Sequence, residues 1–226
     1  MLQQLTFFPI AEMSRLRAAG PPAAAIAGPI PVARGGLPLK VASAQQVARQ
    51  SELRVSFAIP TAAVRLGLRV MGGTHPNGSG FAADIFINFA PAAPGGAGVA
   101  EAGGGTGTYQ VTAGFDLSSM VCPVWSGRKV TNATAPCPAL AAPLLLKRTD
   151  TALDIAVWTD NVFLEVFIMG GRQAWTVPLP CTAITAGQDV TVVASAGPAP
   201  TLLNATLWGL NAIEYENVGP SSQAPE

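Results

Sequence analysis

Charge is the scarcest ingredient of this sequence. Lys and Arg number 13 and Asp and Glu 13 in 226 residues, so charged side chains make up 12% and the formal net charge is zero. A typical soluble domain carries about 25%. With no basic run or face, nothing is present that could neutralise a row of phosphates, which excludes a nucleic-acid partner. Histidine occurs once, as His75 in THPNGSG, and a lone histidine in a turn-like stretch supports no Ser-His-Asp site. Three scattered cysteines and one histidine supply no clustered metal-ligand set. No cofactor is expected either. The glycines of EAGGGTGTYQ precede a strand rather than open a helix, and no Lys-Ser/Thr follows them, so they do not form a phosphate cradle. The longest uncharged stretches, GPPAAAIAGPIPVA and TNATAPCPALAAPLLL, are broken by prolines, which argues against a membrane-spanning helix. MLQQLTFFPI lacks the basic start and apolar core of a signal peptide.

Glycine and proline are plentiful, at 24 and 20 residues, and that punctuation suits short strands joined by turns. A short linker helix is expected over PIAEMSRLR, with Pro9 at its first turn and Ile10, Met13 and Leu16 on one side. The Pro/Ala/Gly-rich segment after it reads as a connector, which places a linker region at 1–36. From residue 37 the apolar period becomes two. Leu53, Val55 and Phe57 alternate with Glu52, Arg54 and Ser56. Val64, Leu66, Leu68 and Val70 alternate with Arg65, Gly67 and Arg69. Phe81, Ala83, Ile85, Ile87 and Phe89 share a face, as do Tyr109, Val111, Ala113 and Phe115. Strands resume after Leu153. About ten such strands without intervening helices predict an all-β fold, a two-sheet antiparallel β-sandwich over 37–217, followed by a disordered tail over 218–226. APAAPGGAGVAEAGGGTG and SSMVCPVWSGRKVTNATAPCPALAAP read as loops. Cys122 and Cys137 flank the Pro-rich part of the second and could close it. Free or buried thiols remain the alternative. Sequons stand at Asn77, Asn132 and Asn204, a weak pointer to a secretory route.

The most informative stretch is TDNVFLEVFIMGGRQAWT, from Thr159 to Thr176. If Asp160-Asn161 and Gly170-Gly171 are both two-residue turns, Val157 faces Leu164, Ile155 faces Val166 and Leu153 faces Ile168. In the next hairpin Leu164 faces Val177 and Val166 faces Trp175, so this side is core. The other side then pairs Trp158 with Phe163, sets Glu165 opposite Ala156 and Thr176, and adds Phe167. Large aromatics on an outer face imply that it packs on something. Glu165 is the expected polar anchor there and needs a partner. Arg172 lies about four residues too far along to serve. The cover could be this chain's own N-terminal segment or a separate domain.

The same stretch resembles the hairpin of the C-terminal sandwich in glycoside hydrolase family 32, the family of invertases, inulinases and fructan hydrolases. Glu165, Phe167, Gly170 and Gly171 fall on its motif. LLNATLWGLNAIEY is similar to the last strand of plant-type members, at Asn204, Ala205, Thr206, Trp208 and Asn211. FFPIAEMSRLR resembles the helix joining propeller and sandwich, at Phe8, Pro9, Glu12, Leu16 and Arg17. TVPLP departs from the pattern, with Pro178 near an expected arginine. The resemblance implies a concanavalin-like jelly roll, a secreted or vacuolar location, and a five-bladed catalytic propeller as the partner.

It also implies retaining fructoside hydrolysis by an Asp nucleophile and a Glu acid, about 5 Å apart, carried by Asp-Pro and Glu-Cys motifs in the propeller. This chain has neither motif. No catalytic residue is therefore expected here. Asp154, diagonal to Glu165 in the assumed register, shares a flat face with it rather than a cleft. Met1 directly before the linker helix suggests a truncated product. The expected role is an accessory module that docks on a propeller through Trp158, Phe163, Glu165 and Phe167. The alternative is a stand-alone lectin-like binder of fructan or sucrose-type carbohydrate. An inherited β-fructofuranosidase activity is the third reading.

Overall fold

A computed structural model describes residues 15–17, 20–40, 50–75, 78–91, 109–126, 129–147, 149–160, 163–179, 189–195 and 197–210. Its strands, in chain order, are β1 Ala24–Pro31, β2 Leu37–Pro38, β3 Gln50–Ala58, β4 Val64–Thr74, β5 Gly80–Pro91, β6 Tyr109–Asp116 and β7 Val121–Ser126. They continue with β8 Lys129–Pro136, β9 Ala139–Pro143, β10 Ala152–Asp160, β11 Phe163–Ile168, β12 Gln173–Pro178, β13 Asp189–Ser195 and β14 Thr201–Gly209. Two six-stranded antiparallel sheets form, β1-β14-β3-β10-β11-β12 and β2-β13-β4-β5-β6-β9, together with the β7-β8 hairpin. The all-β sandwich expected from the alternation is the observed architecture.

Inward-facing residues of both sheets meet in one core. Leu53, Val55 and Phe57 of β3 and Leu153, Ile155 and Val157 of β10 come from the first sheet. Leu66 and Leu68 of β4 and Ile85, Ile87 and Phe89 of β5 come from the second. All are buried. Side chains alternate across a strand, so each strand that gives three residues to this core leaves its intervening ones on an outer face.

In the two large sheets proline falls in edge strands or, as Pro91 of β5, at the end of an interior one. A residue without an N–H cannot sit in the middle of a ladder without losing a hydrogen bond. The four edge strands β1, β12, β2 and β9 each contain a proline: Pro29 and Pro31, Pro178, Pro38, and Pro143.

Three expectations need correction. The connector within 1–36 is not wholly outside the sandwich, because Ala24–Pro31 pairs with β14, Ile26 opposite Ala205. Unsatisfied edge groups of β14 give this Ala/Pro/Gly segment a ladder to join. The Pro-rich stretch read as a loop contains β7, β8 and the edge strand β9. Cys122 and Cys137 are joined by a disulfide there, with Cys137 in the core. The first hairpin is offset from its expected register, as detailed below. Most of the expected linker helix, the tail 218–226 and Asn77 lie outside the described residues. Arg15 and Leu16 form a 3-10 turn. Asn132 falls in β8, and Asn204 is exposed on β14.

Candidate docking face

Outward-pointing residues of the first sheet line up in rows across its strands. One row runs Trp208, Glu52, Trp158, Glu165, Thr176, from β14 through β3, β10 and β11 to β12. The next runs Thr206, Arg54, Ala156, Phe167, Ala174. Asp160 and Phe163 pair at the hairpin end. Trp158 therefore faces Glu165, not Phe163, and Glu165 does not face Ala156. Val157 faces Val166 and Ile155 faces Ile168. The turn lies one residue later than Asp-Asn chemistry suggests. β10 is zipped to β3 along its whole length, out to Asp160 opposite Gln50, and that neighbour keeps Asp160 in the ladder. The slip is by two residues in the partner strand, so every side chain keeps its face. The second hairpin has the expected register, Leu164 opposite Val177 and Val166 opposite Trp175. Its turn is wider than Gly170-Gly171 alone: Met169, Gly170 and Gly171 all have positive φ, 52°, 62° and 80°.

The row has two unlike halves. At the β14–β3 end the charge is neutralised within the chain. Glu52 is completely buried, and Arg17 donates to its two oxygens through Nε at 2.6 Å and Nη2 at 2.7 Å. Arg54 Nε donates to Oε1 at 2.5 Å. The Arg17 guanidinium also lies 4.2 Å over the Trp208 ring, and Arg17 bridges to Leu210. Hydrogen bonding to Glu52 raises the Arg17 pKa above its ordinary value, so Arg17 stays a cation. Trp158 is 3% exposed, and among the described residues its indole Nε1 is buried without a hydrogen-bond partner. Glu52 is thus a carboxylate of this face that is buried and paired within the chain. Alternation alone had put Glu52 outward, but its partner Arg17 is 35 residues away and left no local signal.

At the β11–β12 end the face is less covered. Phe163, Glu165 and Phe167 are half-buried. Among the described residues Glu165 makes no hydrogen bond or ion pair. Glu165, Phe167, Ala174, Trp175 and Thr176 border a shallow depression. Among the described residues, the chain's own Arg17 sits on one half of the face, and Phe163, Glu165 and Phe167 on the other half are half-buried.

Arg172 does not serve this face. Its guanidinium grips Asp150 bidentately, at 2.5 and 2.6 Å, and both side chains are largely buried. Arg172 and a backbone bond from Lys147 hold the Asp150 carboxyl below its ordinary value. A carboxylate depressed in the folded state stabilises the fold at pH above its unfolded value of about 3.9, and that contribution is lost as pH falls through the folded value. Urea midpoints should therefore fall below about pH 4, and Asp150→Asn should flatten that limb while lowering the neutral-pH midpoint.

The described residues include no group of three or more His, Cys, Asp or Glu able to hold a metal ion, and no helix among them is long and apolar enough to cross a membrane. His75 contacts the Ser119 carbonyl and the Phe81 ring.

No protein-family model matches the chain, and no curated protein matches it. Among solved structures it is similar to fructan 1-exohydrolase IIa from Cichorium intybus, with TM-score 0.65 and 15% identity over 92% of this chain and 38% of that one. An exo-inulinase from Aspergillus awamori matches at TM-score 0.55 and 12% identity, over 88% of this chain and 31% of that one. A fructofuranosidase from Schwanniomyces occidentalis matches at TM-score 0.53 and 11% identity, over 83% and 33%. The chain spans about a third of the length of each enzyme. At such identities the likeness is one of fold.

Proposed function

We propose that this chain is the non-catalytic C-terminal sandwich module of a family 32 glycoside hydrolase, made to pack on a five-bladed catalytic propeller and hold it in shape. The observation that carries the reading is the half-covered face: Glu52 and Trp158 are buried, while Phe163, Glu165 and Phe167 beside them are only half-buried. An aromatic patch with a carboxylate that is unpaired among the described residues is what a docked domain would cover. The fold match supports the same reading, since it takes in nearly all of this chain but 38% of the Cichorium enzyme. The Cys122–Cys137 disulfide fits an oxidising, secreted or vacuolar compartment.

The corrected register weighs against catalysis by this chain. Asp154 lies four residues from Trp158, the partner of Glu165, which separates the two backbone positions by about 13 Å along the sheet. That is wider than retaining or inverting glycosidases use. Asp160 comes nearer to Glu165, but it is exposed at the hairpin tip and shares the same flat face. The shallow depression at Phe167 and Trp175 is what favours the second reading, a lectin-like carbohydrate binder. Incubating the chain with sucrose and inulin, and titrating it calorimetrically with inulin oligosaccharides, separates the readings. The docking module neither hydrolyses nor binds them. Turnover would overturn the assignment of chemistry to a propeller, and saturable binding abolished by Phe167→Ala would establish the lectin.

A further inference from the structure

The outer face of the second sheet carries a different construction. Its middle row runs Val193, Gly67, Phe86, Gly114, Ala141. Phe86 thus stands between two glycines on the neighbouring strands. A Cβ at Gly67 would collide with the Ile85 carbonyl oxygen, and one at Gly114 with that of Leu140. The close approach of the strands therefore excludes side chains from both positions, leaving a trough with Phe86 as its floor.

Polar rows border the trough. Thr191, Arg69 and Asp84 lie on one side, and Ser195, Arg65 and Asn88 on the other. The Arg65 guanidinium lies across the floor, 3.7 Å above the Phe86 ring centroid. At one end the turn Ala33–Gly36, closed by the Gly36 N–H to the Ala33 carbonyl at 2.9 Å, holds Arg34 at its tip. Arg34, Arg65, Arg69, Asp84, Phe86 and Ser195 line one groove of about 300 Å³, a volume at the small end of ligand sites.

Three guanidiniums face this groove, and their donors are unequally spent. Arg69 gives Nε and Nη2 to Asp84, at 2.9 and 3.2 Å. Arg65 has Asp116 at 3.9 Å, beyond hydrogen-bonding distance, and Asp116 already accepts from the Ser118 N–H at 2.9 Å. Arg34 is exposed and pairs with no carboxylate among the described residues. A guanidinium stacked on an aromatic ring keeps its edge donors in a fixed plane, which suits a two-oxygen acceptor. With Asp84 and Asp116 counted against the three cations, one positive charge is left over.

We propose that this trough is a binding site for a small anionic ligand of monosaccharide size, whose carboxylate or phosphate oxygens are gripped by Arg65 and Arg34. The site is on the opposite sheet from the docking face and does not depend on the reading of that face. Calorimetric titration of the full chain at low salt tests it, with galacturonate and glucose 6-phosphate as the two sources of the anion and galactose and glucose as neutral controls. At least one acid should bind saturably and the neutral sugars should not, and added NaCl should weaken the binding. Arg65→Gln and Arg34→Ala should each weaken it about tenfold or more, equal to about 1.4 kcal/mol. Both side chains are substantially exposed, so unchanged unfolding midpoints will show that the variants are folded. Binding of neither acid, equal binding of the neutral sugars, or undiminished affinity in both variants would overturn the proposal.

Discussion

Trp158→Ala should cost about 3–5 kcal/mol of folding stability, the usual range for removing a buried large aromatic, and should lower the urea midpoint accordingly. The position looks like a surface one, because it points away from the sandwich core between Glu52 and Glu165. It is nevertheless 3% exposed, so deleting the ring leaves a cavity. Trp158→Phe should cost far less. It keeps most of the buried area and removes an N–H that has no acceptor among the described residues, whose desolvation without one costs about 1–3 kcal/mol. Phe163→Ala and Phe167→Ala, at half-buried positions, should each cost about 1 kcal/mol or less. A Trp158→Ala midpoint equal to wild type would mean that the ring stands in solvent and that the face is open throughout.

The second large effect belongs to Glu52. Its carboxylate is completely buried, and its oxygens are held by Arg17 and Arg54. Glu52→Ala gives up all three charge-assisted hydrogen bonds that the carboxylate accepts and empties a buried position, which should cost about 3–5 kcal/mol. Arg17→Ala should come next, because Oε2 loses its donor while Oε1 keeps Arg54. Arg54→Ala should cost under about 1 kcal/mol, since that side chain is 52% exposed and solvent screens it. Losing Glu52 should also free the N-terminal segment, read as faster trypsin cleavage after Arg17. The order Glu52, Arg17, Arg54 is the signature. A Glu52→Ala variant of unchanged stability would show that the pair does no more than break even.

What the sequence made legible follows from what is local. Period-two alternation from Leu53 to Phe57 and from Phe81 to Phe89 was enough to assign strands and core faces, since each strand carries its own pattern. Gly170-Gly171 set the register of β11 on β12, because a turn fixes pairing from within. The first hairpin was misplaced because Asp160 answers to a strand more than a hundred residues away in sequence, where Gln50 Nε2 lies 3.4 Å from its Oδ1. Local turn chemistry lost to a neighbouring ladder. Arg17 with Glu52, Arg172 with Asp150, and Arg65 over Phe86 went unseen for related reasons. The first two join residues 35 and 22 apart, and the third joins β4 to β5, whose connection carries no two-residue turn to fix the pairing. The β1 and β7–β9 strands were hidden by proline and alanine, which favour no strand alone and here occupy sheet edges or a disulfide-tied hairpin.

The docking reading meets its most direct test in sedimentation velocity of the chain mixed with a separately produced five-bladed propeller of a family 32 enzyme. We predict a one-to-one complex, weakened about tenfold or more by Phe163→Asp and by Phe167→Asp and left intact by Arg65→Gln on the other sheet. No complex, or one that both aspartate variants form with undiminished affinity, would contradict the account.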